Sequence, residues 1–408
     1  MSLNATPAGE RTHIGIFGKR NAGKSSLINA ITSQSLAIVS EQKGTTTDPV
    51  YKAMELLPLG PVMIIDTPGI DDEGELGALR IKKAYQVLNK CDLVLLVIDA
   101  SLGLTDEDKA LWQRVQAKSL PALLVVNKAE LLDEMQQAIL TANILKLTNK
   151  CLFVSAREEK NIKELKEAIA ALRPEPKEKE LVGDLLAPCD IVVLVTPIDS
   201  AAPKGRLILP QQQVLRNIID NNGIAVVVQE SELSEALAKL ADKVRLVITD
   251  SQIFAKVNKI VPQHIPLTSF SILMARYKGN LYDAVKSVRM LDQIKDGDKI
   301  LISEGCTHHR QCDDIGTVKL PAWIRKYTNA EPQFIWSSGT EFPDDLSQYK
   351  LIIHCGACML NEREVQYRNK CAAEQGVPMT NYGIAIAYMN GILKRTVEPL
   401  PGIGELLD

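Results

Sequence analysis

Two short stretches hold the residues best suited to bind a metal. His354-Cys355-Gly356-Ala357-Cys358 closes the apolar run 349–353, and Cys306-Thr307-His308-His309 follows another, Lys299 to Ser303. Two thiols separated by two residues turn onto one metal, and a glycine between them lets backbone approach without a side-chain clash. Three of the five His and five of the eight Cys fall between residues 306 and 371, which sets this segment apart. Both stretches sit at the carboxyl ends of apolar strands, the rim where open α/β sheets place their sites. A helix predicted over 362–374, capped by Asn361, follows Cys358, and its positive end favours thiolates or an anionic cluster. Cys306, Cys355 and Cys358 are the predicted ligands. His308 and His354 compete for a fourth position, or it stays open. Spacing admits tetrahedral zinc on three Cys and one His, and equally an iron-sulfur cluster. The three-cysteine run of a radical SAM enzyme is absent. His309 is expected beside the ligands or facing solvent, and Cys312 and Cys371 are expected to pack, with Cys312 within reach of Cys306.

A second constellation binds phosphate. Thr12 to Ile16 reads as a buried strand, followed by Gly18-Lys-Arg-Asn-Ala-Gly-Lys-Ser25 and an apolar-periodic helix from Ser26 to Ile31. Gly-x4-Gly-Lys-Ser between a strand and a helix is a P-loop. Its cradle runs over Gly18, Asn21, Ala22, Gly23, Lys24, Ser25 and Ser26: backbone N–H groups wrap the phosphates, Lys24 reaches the β and γ phosphates, and the Ser25 hydroxyl binds magnesium. Val62 to Asp66 is a strand running into Asp66-Thr-Pro-Gly69, where the Asp reaches magnesium through water and the Gly N–H senses the γ phosphate. Leu93 to Ile98 is another strand. Asn127-Lys128-Ala129-Glu130 then ends the strand from Leu123, and one carboxylate there accepts the two adjacent donors of guanine, a pair that adenine lacks. Ser155-Ala156-Arg157 completes the base pocket, with a backbone N–H for the guanine O6.

Together these motifs resemble the GTPases of the translation-factor-related class, specifically the tRNA-modification and Era-like families, over residues 11–173. The resemblance implies GTP and Mg2+ as cofactors, and makes Thr46, in Gly44-Thr45-Thr46-Thr47-Asp48, the magnesium-binding threonine. It also implies that Asn21 helps hold a potassium ion where an arginine finger acts in other GTPases, stabilising charge on the transferring phosphoryl group. The residues expected to carry the chemistry are Asn21, Lys24, Thr46, Asp66 and Gly69. Three departures stand out: Glu130 replaces the usual Asp, Thr47 the usual Arg, and Ile70 stands where a Ras-like GTPase orients water with Gln. Slow intrinsic turnover is expected, with Glu73 and Glu75 either orienting water or simply solvated.

The rest of the chain must position these groups. Its 408 residues exceed one ordinary core, and 46% hydrophobic with 24% charged residues is the composition of a soluble globular protein. The expected fold class is α/β, a P-loop GTPase domain followed by two further α/β units with mainly parallel sheets. The expected domains are residues 1–173, 174–264 and 265–408. Pro174 and Pro176 within alternating charges mark the first boundary. The apolar runs 189–196, 223–228 and 244–248 read as strands of a middle unit, with helices over 211–219 and 233–240; its Lys204-Gly-Arg206 is read as a solvated loop. The third unit carries a helix over 281–295, and its tail, 398–404, is expected to be irregular. A net charge of -3 without a basic tail argues against a nucleic-acid partner. With no signal-like N-terminus and no apolar run of membrane-spanning length, a cytoplasmic protein is expected. Its cysteines are then ligands or reduced core thiols, Cys91, Cys151 and Cys189 being of the second kind.

Taken whole, the chain resembles the HydF family, the scaffold GTPases of FeFe-hydrogenase maturation, most specifically in residues 306–313 beside His354 to Cys358. The resemblance implies a 4Fe-4S cluster on three cysteines with an exchangeable fourth ligand. It implies a diiron precursor as cargo, radical SAM maturases and apo-hydrogenase as partners, and a homodimer held by the middle unit. A zinc-stabilised GTPase of ribosome assembly or tRNA modification is the second reading. The potassium assignment is directly testable: Asn21→Ala is expected to abolish the advantage of potassium over sodium in GTP hydrolysis, and a variant that still discriminates between the two ions overturns it.

Overall fold

A computed structural model describes residues 6–32, 49–70, 81, 83–173, 181–198, 207–305, 314–339 and 341–407. The chain forms two compact units, residues 1–177 and 178–408.

The first unit is built on a six-stranded sheet in the order β2-β3-β1-β4-β5-β6. The strands are β1 Thr12–Phe17, β2 Val50–Leu56, β3 Gly60–Asp66, β4 Leu93–Asp99, β5 Ala122–Asn127 and β6 Cys151–Phe153. All neighbours are parallel except β2, which runs antiparallel to β3. The central strands are near-continuous apolar runs because helices cover both faces; every residue of β4 and β5 is buried. The edge strand β2 does not announce itself in the sequence. Val50 and Tyr51 are exposed, Lys52 and Glu55 interrupt its apolar residues, and only its pairing with β3 defines it.

The second unit contains two four-stranded parallel sheets. One has the order β10-β9-β7-β8, with β7 Ile191–Val195, β8 Ile224–Val228, β9 Val244–Thr249 and β10 Leu267–Ser269. The other has the order β12-β11-β13-β14, with β11 Lys299–Ser303, β12 Gln333–Ser337, β13 Leu351–His354 and β14 Met379–Asn381. β10 lies beyond residue 264, the expected end of the middle domain, yet pairs with β9 from Leu267 to Ser269. Apolar side chains of both sheets, such as Val193, Ile248, Ile300 and Ile353, also belong to one hydrophobic core. The predicted helix over 281–295 is α-helical at Leu281–Ser287 and tightens to a 3-10 turn over Val288–Gln293. Helix Glu362–Glu374 starts where its cap predicts, the Asn361 carboxamide accepting from Glu364 N at 3.1 Å. Cys91 is buried as expected and Cys151 half-buried, whereas Cys189 is exposed in a left-handed turn, φ +69°.

Arg395, on helix Leu393–Val397, fastens the C-terminal end of this unit to the first of its sheets. Its guanidinium donates to the carbonyls of Asn258 at 3.3 Å, Val261 at 3.0 Å, Pro262 at 2.6 Å and Ile265 at 3.3 Å, ahead of β10. Arg395→Ala leaves these acceptors without their charged donor, an expected loss of about 2–3 kcal/mol. An unchanged thermal unfolding profile for the variant would refute that role.

Candidate functional site

Unit one places its phosphate and base loops at the carboxyl edge of the sheet. After β1 the chain turns through Gly18 to Gly23 into helix Lys24–Thr32. Gly18 has φ +150°, and a Cβ there would stand 2.2 Å from Val97 O; Gly23 has φ +88°, and its Cβ would stand 2.2 Å from Asn127 Nδ2. Neither position admits a side chain. Asn21 is also left-handed, φ +65°. Lys24 Nζ donates to Gly18 O at 2.9 Å and Lys19 O at 2.8 Å, so its ammonium is held by the loop's own carbonyls. Ser25 Oγ donates to Asp66 Oδ2 at 3.2 Å. Burial pushes the Asp66 carboxyl above its ordinary value, with Lys24, the Ser25 hydrogen bond and Lys52 acting the other way. Ser25 and Asp66 thus offer two adjacent hard oxygen donors, a set that fits magnesium.

The base end is tied to the phosphate loop through one amide. Asn127, buried at the end of β5, donates from Nδ2 to Ala22 O at 3.0 Å and accepts at Oδ1 from Ala156 N at 3.1 Å. Lys128 is left-handed, φ +63°, and its ammonium meets Asp99 Oδ2 at 2.6 Å. Burial acts to raise the Asp99 carboxyl, but the Lys128 and Ser101 hydrogen bonds prevail and hold it below its ordinary value. Glu130 turns a buried Oε2 that has no hydrogen-bond partner. An orphaned acceptor at this position suits the paired donors of guanine. Ser155 is buried; its Oγ accepts from Glu158 N at 3.0 Å, and its backbone bridges Lys160. Ile70 packs into the core, so no polar side chain is supplied there. Thr46, Glu73 and Glu75 lie outside the described residues. Asp99, which orients Lys128, was not singled out by sequence; its only signal is a carboxylate ending an apolar strand.

In unit two, Cys355 N donates to Ser303 O at 2.9 Å, carrying the β11–β13 pairing to the strand ends. Ala357 is left-handed, φ +55°. The N–H groups of Gly305 and Ala357 point at Cys355 Sγ, at 3.0 and 3.4 Å. Burial pushes the Cys355 thiol up while these two N–H groups act against it. Burial and Cys355 push the Cys358 thiol up to about 11, with the Lys278 ammonium opposing. Lys278, itself buried, donates to Leu360 O at 2.8 Å. Buried sulfurs that already receive N–H bonds fit a soft metal or an iron-sulfur cluster, whose positive charge favours thiolate. Cys306, His308, His309 and Cys312 lie outside the described residues, and among the described residues no three ligating side chains converge. Cys371 packs against a small core, as expected.

His354, expected to compete with His308 for a fourth ligand position, has both ring nitrogens engaged by protein groups. Its Nδ1 lies 2.9 Å from Cys355 O, which only an N–H can satisfy, and its Nε2 lies 3.0 Å from Arg368 NH1, which only a lone pair can satisfy. Burial and the Arg368 cation lower its pKa to about 3. The ring is neutral, with neither nitrogen free for a metal in this conformation. Arg368, which sequence reasoning took only as a helix residue, is fully buried behind it.

Comparison with known proteins connects the two units. The family profile "50S ribosome-binding GTPase" matches residues 13–128. "Hydrogen maturase F dimerization domain" matches residues 181–279, and "Hydrogen maturase F tetramerization domain" matches residues 282–399. The chain belongs to the hydrogen maturase F family. Among curated proteins it is similar to the tRNA modification GTPase MnmE of Desulfotalea psychrophila, 36% identical over 156 residues, 38% of this chain and 33% of that protein. It is also similar to the GTPase Der of Chlamydia felis, 36% identical over 170 residues, 41% of this chain and 35% of that protein. The chain therefore spans about a third of the length of the curated relatives it matches. A solved structure of Era from Aquifex aeolicus, bound to GDP and aluminium fluoride, is 20% identical with a TM-score of 0.37, covering 57% of this chain and 98% of that one. In this hydrogen maturase F chain the carboxylate of the base loop is that of Glu130, whose Oε2 is buried without a hydrogen-bond partner. Glu130→Gln replaces one acceptor by a donor, and the affinity for a fluorescent GDP analogue at fixed magnesium is expected to fall about tenfold or more. Equal affinities would show that Glu130 does not meet the base.

Proposed function

We propose that this chain is a GTP-hydrolysing scaffold for FeFe-hydrogenase maturation, carrying a 4Fe-4S cluster and a diiron precursor that it delivers to apo-hydrogenase. The observation that carries the reading is the joining of a P-loop GTPase unit to both hydrogen maturase F domains, the second of which holds Cys355 and Cys358 at a strand end.

In the GTPase unit, Lys24 neutralises the β and γ phosphates and the N–H groups of Gly18 to Ser26 hold them. Ser25, Thr46 and Asp66 hold magnesium, and the Gly69 N–H meets the γ phosphate. Asn21 helps hold potassium. Asn127, Lys128, Glu130, Ser155 and Ala156 read guanine. Because Ile70 brings no polar group to the attacking water, turnover is slow and depends on the potassium ion. Lys24 must leave the Gly18 and Lys19 carbonyls when phosphate arrives, which couples loop conformation to nucleotide state. That coupling regulates partner binding only if partners prefer one nucleotide state.

Cys306, Cys355 and Cys358 would hold the cluster, which when bound supplies an iron to which the cargo attaches. The Gly305 and Ala357 N–H groups orient Cys355 and favour its thiolate, and the apolar side chains around Cys355 and Cys358 limit water. The radical SAM maturases are the proposed source of the precursor. We place the boundary between the association domain and the cluster domain near residue 280, where the two family profiles meet and beyond β10. Association through the first of these domains is supported by β8, an edge strand with Ile224 47% and Val227 42% exposed. A cytoplasmic location suits the free thiols, and among the described residues no helix is long and apolar enough to cross a membrane.

Anaerobic reconstitution with iron and sulfide is expected to give the absorbance and, after reduction, the electron paramagnetic resonance signal of a 4Fe-4S cluster, lost in Cys355→Ser and Cys358→Ser. A chain that takes up zinc alone and no cluster would overturn the scaffold reading.

A further inference from the structure

The guanidinium of Arg368 reaches the carboxyl ends of three neighbouring strands at once. Arg368 NH1 lies 3.1 Å from Ser303 Oγ, at the end of β11, and 3.0 Å from His354 Nε2, at the end of β13. Its NH2 donates to Gly339 O at 2.8 Å, two residues past the end of β12. Its Nε donates to Glu364 Oε1 at 2.9 Å, one turn earlier on the helix that follows Cys358. The side chain is fully buried, with the Phe342 ring 5.1 Å from its Cζ. An ion pair alone does not explain this placement, since an apolar pair of similar volume often serves stability as well as a buried Arg–Glu pair. The forked donor does explain it: no other side chain meets three separate acceptors with planar geometry.

The contacts continue to the thiols. By donating to Nε2, Arg368 fixes the tautomer in which His354 Nδ1 carries the proton, and that N–H holds Cys355 O at 2.9 Å. With the carbonyl held, the turn through left-handed Ala357 returns its N–H to Cys355 Sγ. On the other side, Ser303 accepts Cys355 N through its carbonyl while its hydroxyl is shared by Arg368 and Ser337, the latter 3.0 Å away. We infer that Arg368 is the positioning residue of the thiol site, a buried clamp that acts through His354 and Ser303 to preset Cys355 and Cys358 for a metal group. This rests on the reading of Cys355 and Cys358 as ligands, and the experiment separates the two.

The test uses the full chain, reduced and metal-free, titrated anaerobically with cobalt(II) and followed by thiolate-to-cobalt absorption. Parallel samples are reconstituted with iron and sulfide for iron content and electron paramagnetic resonance. Arg368→Lys keeps the charge beside Glu364 but not the fork. Ser303→Ala removes one hydroxyl and keeps the assay decisive if the lysine variant does not fold, as judged by circular dichroism. Cobalt affinity is expected to fall about tenfold to a hundredfold in Arg368→Lys, the range for partners that orient metal ligands, with a smaller fall in Ser303→Ala and altered ligand-field bands in both. A merely structural arginine would lower the melting temperature and leave the bound-cobalt spectrum unchanged. Folded variants with wild-type affinity and spectra overturn the clamp. If the wild-type chain binds cobalt through Cys355 and Cys358 but assembles no cluster, the cluster reading fails and the cobalt series still judges the clamp. Wild-type chain that binds neither overturns both.

Discussion

At the carboxyl edge of a parallel sheet, backbone pairing stops, and the loops leaving it must be held by side chains or left to water. Each unit meets that constraint with one buried multivalent group. Asn127 in the first unit joins the phosphate loop at Ala22 to the base loop at Ala156. Arg368 in the second joins Ser303, His354 and Gly339. These groups determine where the loops sit, and the loops carry the chemistry. The close approach of Gly23 to Asn127 shows how tight the arrangement is: even one methyl group has no room.

Both edges also concentrate polar groups whose surroundings suit a ligand better than they suit the bare protein. Burial disfavours the charged form of Asp66, and Glu130 holds a buried oxygen without a donor. Burial disfavours thiolate at Cys355 and Cys358. Folding has placed these groups at a cost that a bound ion or base would offset, and such clustering is a physical mark of function rather than of stability. The opposite treatment of Asp99 supports the distinction. Its oxygens already accept from Lys128 and Ser101, and it positions Lys128.

Local chemistry was readable from the sequence where it is local in fact. Gly18, Gly23, Lys24 and Ser25 are fixed by spacing within one strand-loop-helix unit, and Asn361 caps its helix because the cap and the N–H that donates to it are three residues apart. The central strands announced themselves as apolar runs. Edge strands did not: β2 is broken by Lys52 and Glu55, and β14 has only three residues. β10 lies just past the boundary expected at residue 264, and its place is set by pairing with β9 rather than by composition. Arg368 was illegible for the same reason. Its acceptors at Ser303 and Gly339 are 65 and 29 residues away in sequence, and nothing local distinguishes it from a solvated helix arginine.

At His354 both ring nitrogens have protein partners in this conformation, a feature the motif does not reveal. Beside two thiols, an imidazole is a natural ligand, and spacing alone cannot show that both of its nitrogens are already engaged. Turning Nε2 to a metal would remove an acceptor from a fully buried guanidinium, and a hydrogen bond to a charged group is worth about 1.5–3 kcal/mol. It would also release Cys355 O and with it the turn that aims Ala357 N at the sulfur. Ligation by His354 would therefore loosen the geometry that makes Cys355 a good ligand. A neutral ring that keeps both of these hydrogen bonds avoids that conflict and leaves the Cys355 and Cys358 sulfurs as the groups that would hold a metal.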